Sequence, residues 1–421
     1  MLPARKVTNM EQVPRPYGVL GRVLGHSYTP TIYRELAGLD YRKFERDPED
    51  LEAFVRSDEW EGVTIPYKRD LVPYMDELSE VAQRMGNINT VTRLADGRLR
   101  GDNTDYYGCK VLVESLGIDL AGKKAVVFGG SGGAGSTAMM VLADLGMRPV
   151  SIDRSGENTY ENLKRHADAA LALNCTPVGM FPACPAAPCS LESLPALEGL
   201  IDIVYNPART ALMMEAERRE VPNAGGLLML VAQAAQAVER YTGERIDMAR
   251  IMDVTARLSA SEQNVALIGM PGCGKTRVGE QLAKLLDRTH VDIDRAFGEE
   301  AGMSCAEFIE TQGEDAFRVR ETEVLGRIAA QSGLVISCGG GVVTRSENYA
   351  LLHQNSIIVM LDRPIDQLSK KGRPITARDG VEALAERRLP LYRAWADVVV
   401  QSRECAASTA AVVRDALPAM L

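Results

Sequence analysis

The chain has 421 residues, 46% hydrophobic and 25% charged, with 57 acidic side chains against 48 basic ones and a formal net charge of −9. That length exceeds one ordinary core and predicts two or three domains, and the acidic balance argues against nucleic acid as the main partner, because phosphate-backbone binding needs a basic surface. No apolar run reaches the length of a membrane span, and the opening MLPARKVTNMEQ lacks the apolar stretch of a signal peptide, so a cytoplasmic protein is expected. The eight cysteines form no CxxC pair and four histidines are too few to suggest a zinc site; Cys184 and Cys189, in FPACPAAPC, read as unpaired thiols on a loop.

Along the chain, strand-like runs alternate with helical segments: Lys124–Phe128, Arg148–Ile152, Leu200–Val204, Asn264–Ile268, Leu334–Ser337 and Ile357–Leu361. This alternation predicts an α/β fold with parallel sheets. After the first run, GSGGAG sets Gly130, Gly132 and Gly135 in GxGxxG spacing, with Ser131, Gly133 and Ala134 between them and a helix expected near Ser136. Strand, glycine turn and helix in that order form a dinucleotide-binding signature. The second run ends at Ile152, which puts Asp153 and Arg154 where an adenosine ribose would lie. An acidic group there accepts from the 2′-hydroxyl of NAD, whereas an arginine suits the 2′-phosphate of NADP, and both are present.

Further on, helical spacing over Leu228–Tyr241 precedes the polar segment 242–263, in which Met248–Leu258 keeps helical spacing and SASEQ reads as a linker. The main boundary is therefore expected near residue 260. Immediately beyond it, the strand NVALI, the loop GMPGCGKT (Gly269–Thr276) and the helical run Arg277–Leu286 supply the context of a phosphate-binding loop. Backbone amides of Gly272, Cys273 and Gly274 and the helix N-terminus, through Arg277, would cradle ATP phosphates. Lys275 would reach the transferring group, and the Thr276 hydroxyl would ligate magnesium. Two phosphate-handling sites thus share one polypeptide.

Six ordered motifs over residues 17 to about 246 resemble shikimate dehydrogenases: GHSYTP (25–30), GVTIPYK (62–68), NINTV (87–91), GDNTDYYG (101–108), NCTPVGM (174–180) and DIVYNPART (202–210), followed by LVAQAA (230–235). The resemblance implies that Ser27 and Thr29 hold a substrate carboxylate, with threonine where the family usually has serine. Thr64, Asn89 and Gln233 would bind substrate, Lys68 and Asp105 would form the catalytic pair, and Tyr205 and Gly226 would lie on the nicotinamide side. Those residue types suit the chemistry. Reducing a ring ketone requires a proton on the forming alkoxide, which a lysine held by an aspartate can deliver, and polyol recognition requires matched donors and acceptors.

Residues 264 to about 405 resemble shikimate kinases through the phosphate loop, VDID (291–294), GEDAFRVRE (313–321), SCGGG (337–341), GRPI (372–375) and RLPLY (388–392). The resemblance implies Asp292 near magnesium, Asp294 on the substrate hydroxyls, Arg318 and Arg388 on its carboxylate, Gly339, Gly340 and Gly341 against its ring, and Arg373 on the transferring phosphoryl group. Only eleven residues separate Leu361 from Arg373, fewer than in a typical family lid, and the other basic residues there are Arg363, Lys370 and Lys371.

The fold implied is a two-domain α/β dehydrogenase followed by an α/β/α P-loop kinase with a parallel sheet. The dehydrogenase would take residues 1–248, with a substrate domain of about 14–108 and 234–248 and a Rossmann domain of about 109–233; residues 249–262 would link it to a kinase over 263–421. The joint expectation is reduction of 3-dehydroshikimate with NADP(H), NAD(H) also being open, and ATP- and Mg2+-dependent phosphorylation of the resulting shikimate 3-hydroxyl. Alternatives are a quinate/shikimate dehydrogenase fused to a kinase, suggested by Thr29 and Asp153, and a regulatory protein with ligand sites and little turnover. The oligomeric state stays open.

Overall fold

The computed structural model describes residues 15–22, 24, 28–368 and 380–417. The chain divides into two compact units, one made of residues 1–113 and 228–254, the other of 114–227 and 255–421.

The first unit is built on a mixed sheet of six strands: β1 (Tyr17–Gly21), β2 (Tyr41–Glu45), β3 (Gly62–Thr64), β4 (Glu77–Leu78), β5 (Thr90–Arg93) and β6 (Leu99–Asp102), ordered β2-β1-β3-β5-β6-β4. Leu20, Val63, Val91 and Leu99 point from its strands into a core shared with Phe54 and Trp60. The Trp60 indole N–H donates to the Phe54 carbonyl at 2.9 Å, so its one polar atom is satisfied within the core. A second apolar cluster is aromatic. Tyr33 stacks on Tyr41 with centroids 3.9 Å apart, and Tyr241 lies 5.1 Å from Tyr17 and 6.3 Å from Tyr33. Tyr241 belongs to the helix Leu227–Thr242, so these contacts fasten the returning chain to the first sheet.

The second unit contains two parallel sheets of five strands. The first holds β7 (Lys124–Phe128), β8 (Arg148–Ile152), β9 (Leu171–Asn174), β10 (Gly199–Asp202) and β11 (Asn223–Gly225), ordered β11-β10-β9-β7-β8. The other holds β12 (Asn264–Ile268), β13 (Thr289–Asp292), β14 (Leu334–Ser337), β15 (Ser356–Asp362) and β16 (Val398–Gln401), ordered β13-β14-β12-β15-β16. All five residues of β12 are buried, which explains why it reads as a continuous apolar run rather than an alternating one. In each sheet the first strand, β7 or β12, is an inner strand flanked on both sides, by β9 and β8 in one and by β14 and β15 in the other, and such a change of winding direction opens a crevice at the carboxyl ends. The run expected at Leu200–Val204 stops at Asp202, because that carboxylate accepts from the Val204 amide and turns the chain out of the sheet.

The segment SASEQ is not a loose linker. All of it but Gln263 forms the last turn of a helix spanning Met248–Glu262, with Ile251, Val254, Leu258 and Ala260 buried. Polar residues on the opposite face made the segment look solvated, but its apolar positions recur at helical spacing. At the helix end the Arg288 guanidinium donates to the carbonyls of Ala260 and Gln263 at 2.5 and 2.8 Å, satisfying acceptors that the helix itself leaves open. The helix Gly133–Asp144 likewise begins three residues before Ser136, with Gly132 as its N-cap. Among the described residues no helix is long and apolar enough to cross a membrane.

Gly62 leaves no room for a side chain, since a Cβ there would overlap the ring of Tyr241. Gly62→Ala is expected to destabilise the first unit by about 1–3 kcal/mol through overpacking. Urea unfolding followed by the fluorescence of the buried Trp60 measures it, and an unshifted midpoint would contradict the packing.

Candidate functional site

In the first unit, β3, β5 and β6 run side by side with Thr64 opposite Thr90 and Thr90 opposite Asp102. That register brings the residues just beyond those strand ends together. The Lys68 ammonium pairs with one oxygen of Asp105, and Asn89 Nδ2 donates to the other at 2.9 Å. Asn89 Oδ1 in turn accepts from the Thr104 amide at 2.7 Å, and Thr104 Oγ1 lies 3.2 Å from Gln233 Oε1. Thr64 Oγ1 bonds the hydroxyl of Tyr41, which is itself buried. Four of the expected residues therefore form one network, with Thr104 as a hub that sequence reasoning passed over despite its place in GDNTDYYG. Gly108 is required beside it, because a Cβ there would lie 2.6 Å from the Met229 carbonyl and 3.0 Å from Gln233 Cβ. Thr29 opens the helix Thr29–Ala37, whereas Ser27 lies outside the described residues.

In the second unit, the glycine turn follows β7. Gly132 caps the helix that starts at Gly133, and a Cβ on Gly133 would meet nothing within 4 Å, so this helix end is open to a ligand. Gly130 and Gly135 are glycines for close packing: a Cβ on either would overlap Ser151 or the Gly129 carbonyl. Asp153, directly after β8, accepts from Ser131 Oγ at 2.7 Å and from Ser151 Oγ at 2.5 Å. Partial burial raises its pKa, but the hydroxyls of Ser151 and then Ser131 outweigh that and leave it below the usual carboxylate value. Arg154 is exposed beside it. The loops after β9 and β10 are joined by Asp202, wholly buried, whose carboxylate accepts from Thr210 Oγ1 at 2.7 Å, Asn174 Nδ2 at 3.0 Å and the Val204 amide. Tyr205, on the second of these loops, is exposed. Gly226 has no room for a side chain, since a Cβ would overlap the Ile203 carbonyl.

At the carboxyl end of the last sheet lies a cavity of about 730 Å³ lined by the loop 271–278, Asp292, Asp294, Arg318, Glu321, Gly339–Gly341, Arg363 and Arg388, among others. Gly269, Gly272 and Gly274 have φ of 141°, 89° and 103°, values that admit glycine almost alone and wrap the loop around its own amides. Lys275 Nζ donates to the Gly269 and Met270 carbonyls at 2.8 and 3.2 Å, which fixes it at the loop mouth. Thr276 Oγ1 donates to Asp292 Oδ2 at 2.6 Å, and the other Asp292 oxygen caps the helix Ile293–Ala301 through the Arg295 amide. Asp294 lies in the first turn of that helix.

Arg318 donates to Glu321 Oε2 at 2.6 Å and pairs with Glu314 at 3.4 Å. Glu321, 1% exposed, was missed by sequence reasoning, although it ends the very motif that supplied Arg318. Burial pushes its carboxyl above the usual range even with the Arg318 charge alongside. The glycine triplet fits around this pair. A Cβ on Gly339 would lie 2.5 Å from Glu321 Oε1 and 2.9 Å from Asp294 Oδ1, and one on Gly341 would overlap the Arg318 guanidinium. Arg388 Nη1 donates to the Gly340 carbonyl at 2.9 Å, and the Tyr392 hydroxyl donates to the same oxygen. Arg373, Lys370 and Lys371 lie outside the described residues.

Residues 271–418 match the family model for shikimate kinase, and residues 19–91 match that for the shikimate dehydrogenase substrate binding domain. A shikimate dehydrogenase (NADP(+)) of Geobacillus kaustophilus is 34% identical over 270 residues, which cover 58% of this chain and 96% of that one. Among solved structures, a chorismate mutase/shikimate 5-dehydrogenase fusion protein from Clostridium acetobutylicum is similar with a TM-score of 0.55 at 27% identity, over 59% of this chain and 98% of that one. A quinate dehydrogenase from Corynebacterium glutamicum in complex with NAD is similar with a TM-score of 0.53 at 25% identity, over 57% and 98%.

Burial raises the Asp202 carboxyl to about 6, against its hydrogen bonds from Thr210, Val204 and Asn174. Its folded value therefore exceeds its unfolded one of about 4. The associated stability is fully present below about pH 4 and is lost as pH rises through about 6. Asp202→Asn removes this titration, so the stability of the variant relative to the parent should rise by on the order of 2 kcal/mol between pH 4 and pH 7. Unfolding midpoints across that range test it, and a flat difference would contradict the assignment.

Proposed function

From the premise that the chain belongs to the shikimate dehydrogenase family and carries a shikimate kinase domain behind it, and so is a bifunctional enzyme of the shikimate pathway, we propose that it works in the biosynthetic direction. The dehydrogenase half reduces 3-dehydroshikimate to shikimate, and the kinase half phosphorylates the 3-hydroxyl so formed. The observation that carries the first step is the Lys68 ammonium paired with Asp105, whose second oxygen is held by Asn89. Lys68 donates its proton to the forming alkoxide, and Asp105 keeps the ammonium charged and aimed. Asn89, Gln233, Thr64, Thr29 and Ser27 bind the ring hydroxyls and carboxylate. Gly130–Gly135 at the open helix end and Arg154 would hold NADP(H), with Tyr205 and Gly226 on its nicotinamide side, and the cofactor would supply the hydride there.

For the second step, Asp294 accepts from the substrate hydroxyl while Arg318 and Arg388 grip the carboxylate, Arg318 being held in place by Glu321. Gly272–Thr276 and Arg277 would cradle ATP, with Lys275 acting on the transferring phosphoryl group and Arg373, outside the described residues, assigned the same task from its motif. The Thr276 hydroxyl and an Asp292 oxygen meet at one point and are hard oxygen donors, which suits Mg2+ held by few protein ligands and by substrate phosphates. When bound there, Mg2+ neutralises phosphate charge. A cytoplasmic location accords with both substrates and both nucleotides.

Each half owns its chemistry, so Lys68→Ala should abolish ketone reduction and leave ATP-dependent phosphorylation intact, with Lys275→Ala doing the reverse. A coupled assay of both reactions checks this, and loss of both activities from either folded variant would end the two-site reading. Cofactor choice follows Arg154 toward NADP, with discrimination weakened by the ionised Asp153 beside it. Asp153→Asn can keep its hydroxyl partners and removes the charge, and is expected to raise kcat/KM for NADP relative to NAD about tenfold. A native preference for NAD beyond about tenfold would reverse the choice.

A further inference from the structure

The loop Tyr205–Thr210 has anchors of two kinds, and one kind comes from the kinase half. On the dehydrogenase side, Thr210 donates to Asp202, and the Asn206 carbonyl accepts from the Phe181 amide at 3.0 Å. On the kinase side, Arg209 reaches the segment 353–356 that precedes β15. Its backbone amide donates to the Gln354 carbonyl at 2.8 Å, and its Nη1 donates to the carbonyls of His353 at 3.1 Å and Ser356 at 3.5 Å. Glu217, one helix further along the dehydrogenase half, lies 3.5 Å from Arg209 Nε and 3.0 Å from His353 Nε2. All of these residues lie in the second unit.

This contact has the character of a built joint. His353, Gln354, Asn355 and Ser356 are all buried, with exposures of 7, 2, 2 and 0%. Tyr349 stacks on the His353 ring at 4.8 Å and fixes its orientation toward Glu217. His353 ends the helix Glu347–His353, so the Arg209 guanidinium meets a carbonyl that the helix leaves unsatisfied, at the end where its dipole favours positive charge. Removing the Arg209 side chain from the closed joint would leave buried carbonyls without their donor, a costly loss that marks the contact as one that holds the loop in place.

We propose that the kinase half is a positioning element for the dehydrogenase half: through Arg209 and His353 it holds the loop bearing Tyr205, and thereby sets how tightly the dehydrogenase binds its nicotinamide cofactor. The inference rests on the placement of Tyr205 at that cofactor. Arg209 and His353 are positioning residues that act only through the loop.

The test uses full-length protein with Arg209→Ala, Arg209→Lys, His353→Ala and Tyr205→Ala, assayed for both reactions. Arg209→Ala and His353→Ala should each raise the dehydrogenase KM for NADPH about tenfold, the scale of one lost charge-assisted contact. Dehydrogenase kcat, the KM for 3-dehydroshikimate and kinase turnover should each change less than about twofold, within the scatter expected of uncoupled sites. Arg209→Lys, which keeps the charge, should recover part of the loss. An effect of Tyr205→Ala on the NADPH KM with none from Arg209→Ala or His353→Ala would overturn this inference alone. No effect from any of the four would remove the cofactor role of the loop and the inference with it. Loss of kinase turnover in Arg209→Ala would make the joint a general folding contact and would also overturn the proposal.

Discussion

A parallel strand buried on both faces can meet ligand only where it ends, and that constraint organises the whole second unit. Its inner strands β9, β10, β12 and β14 are buried throughout, so polar chemistry is pushed to the carboxyl edges. There the chain places the glycine turn after β7, Asp153 after β8, Asn174 and Asp202 at the ends of β9 and β10, the phosphate loop after β12, Asp292 at the end of β13, the glycine triplet after β14 and Arg363 after β15. The first unit reaches a similar result by antiparallel pairing. With Thr64, Thr90 and Asp102 in register across β3, β5 and β6, residues far apart in sequence converge just beyond one edge.

Two buried charges at these sites are paired. Asp102, nearly fully buried, accepts from Ser79 at 2.6 Å and pairs with Arg240 at 2.7 Å, which ties the loop carrying Thr104 and Asp105 to the helix carrying Gln233. Arg318 and Glu321 form a buried ion pair whose desolvation offsets much of its attraction. Such a pair is poor evidence for stability and good evidence for orientation: it aims a guanidinium that would otherwise sample many rotamers. The glycine triplet serves the same end, because any side chain on Gly341 would displace Arg318.

The joint between Arg209 and the segment 353–356 gives the fusion a physical meaning beyond a shared message. The helix Met248–Glu262, capped by Arg288, runs into β12 after a single residue, so covalent connection and non-covalent joint both tie the kinase sheet to the dehydrogenase half. The loop Tyr205–Thr210 of the dehydrogenase half is a direct neighbour of the kinase segment 353–356.

Local chemistry was legible in the sequence wherever residues adjacent in the chain act together. The phosphate loop, the GxGxxG turn and the continuous apolar strands are of this kind, because a strand, a glycine turn and a helix N-terminus form one site from fewer than twenty consecutive residues. Lys68, Asp105 and Asn89 were reached through motif resemblance, and only folding shows them in one network, since their meeting depends on strand register. Thr104, Tyr41 and Glu321 carried no separate signal: a threonine, a tyrosine and a glutamate are ordinary residues until burial and a partner give them a task. Helical spacing over Met248–Leu258 was legible, whereas the segment SASEQ that follows read as a linker, and only the fold shows the helix continuing to Glu262 with Ala260 buried. Arg209 and His353 were invisible as a pair, because 143 intervening residues lie between them, and only the tertiary structure could place a guanidinium against the carbonyls of so distant a helix end.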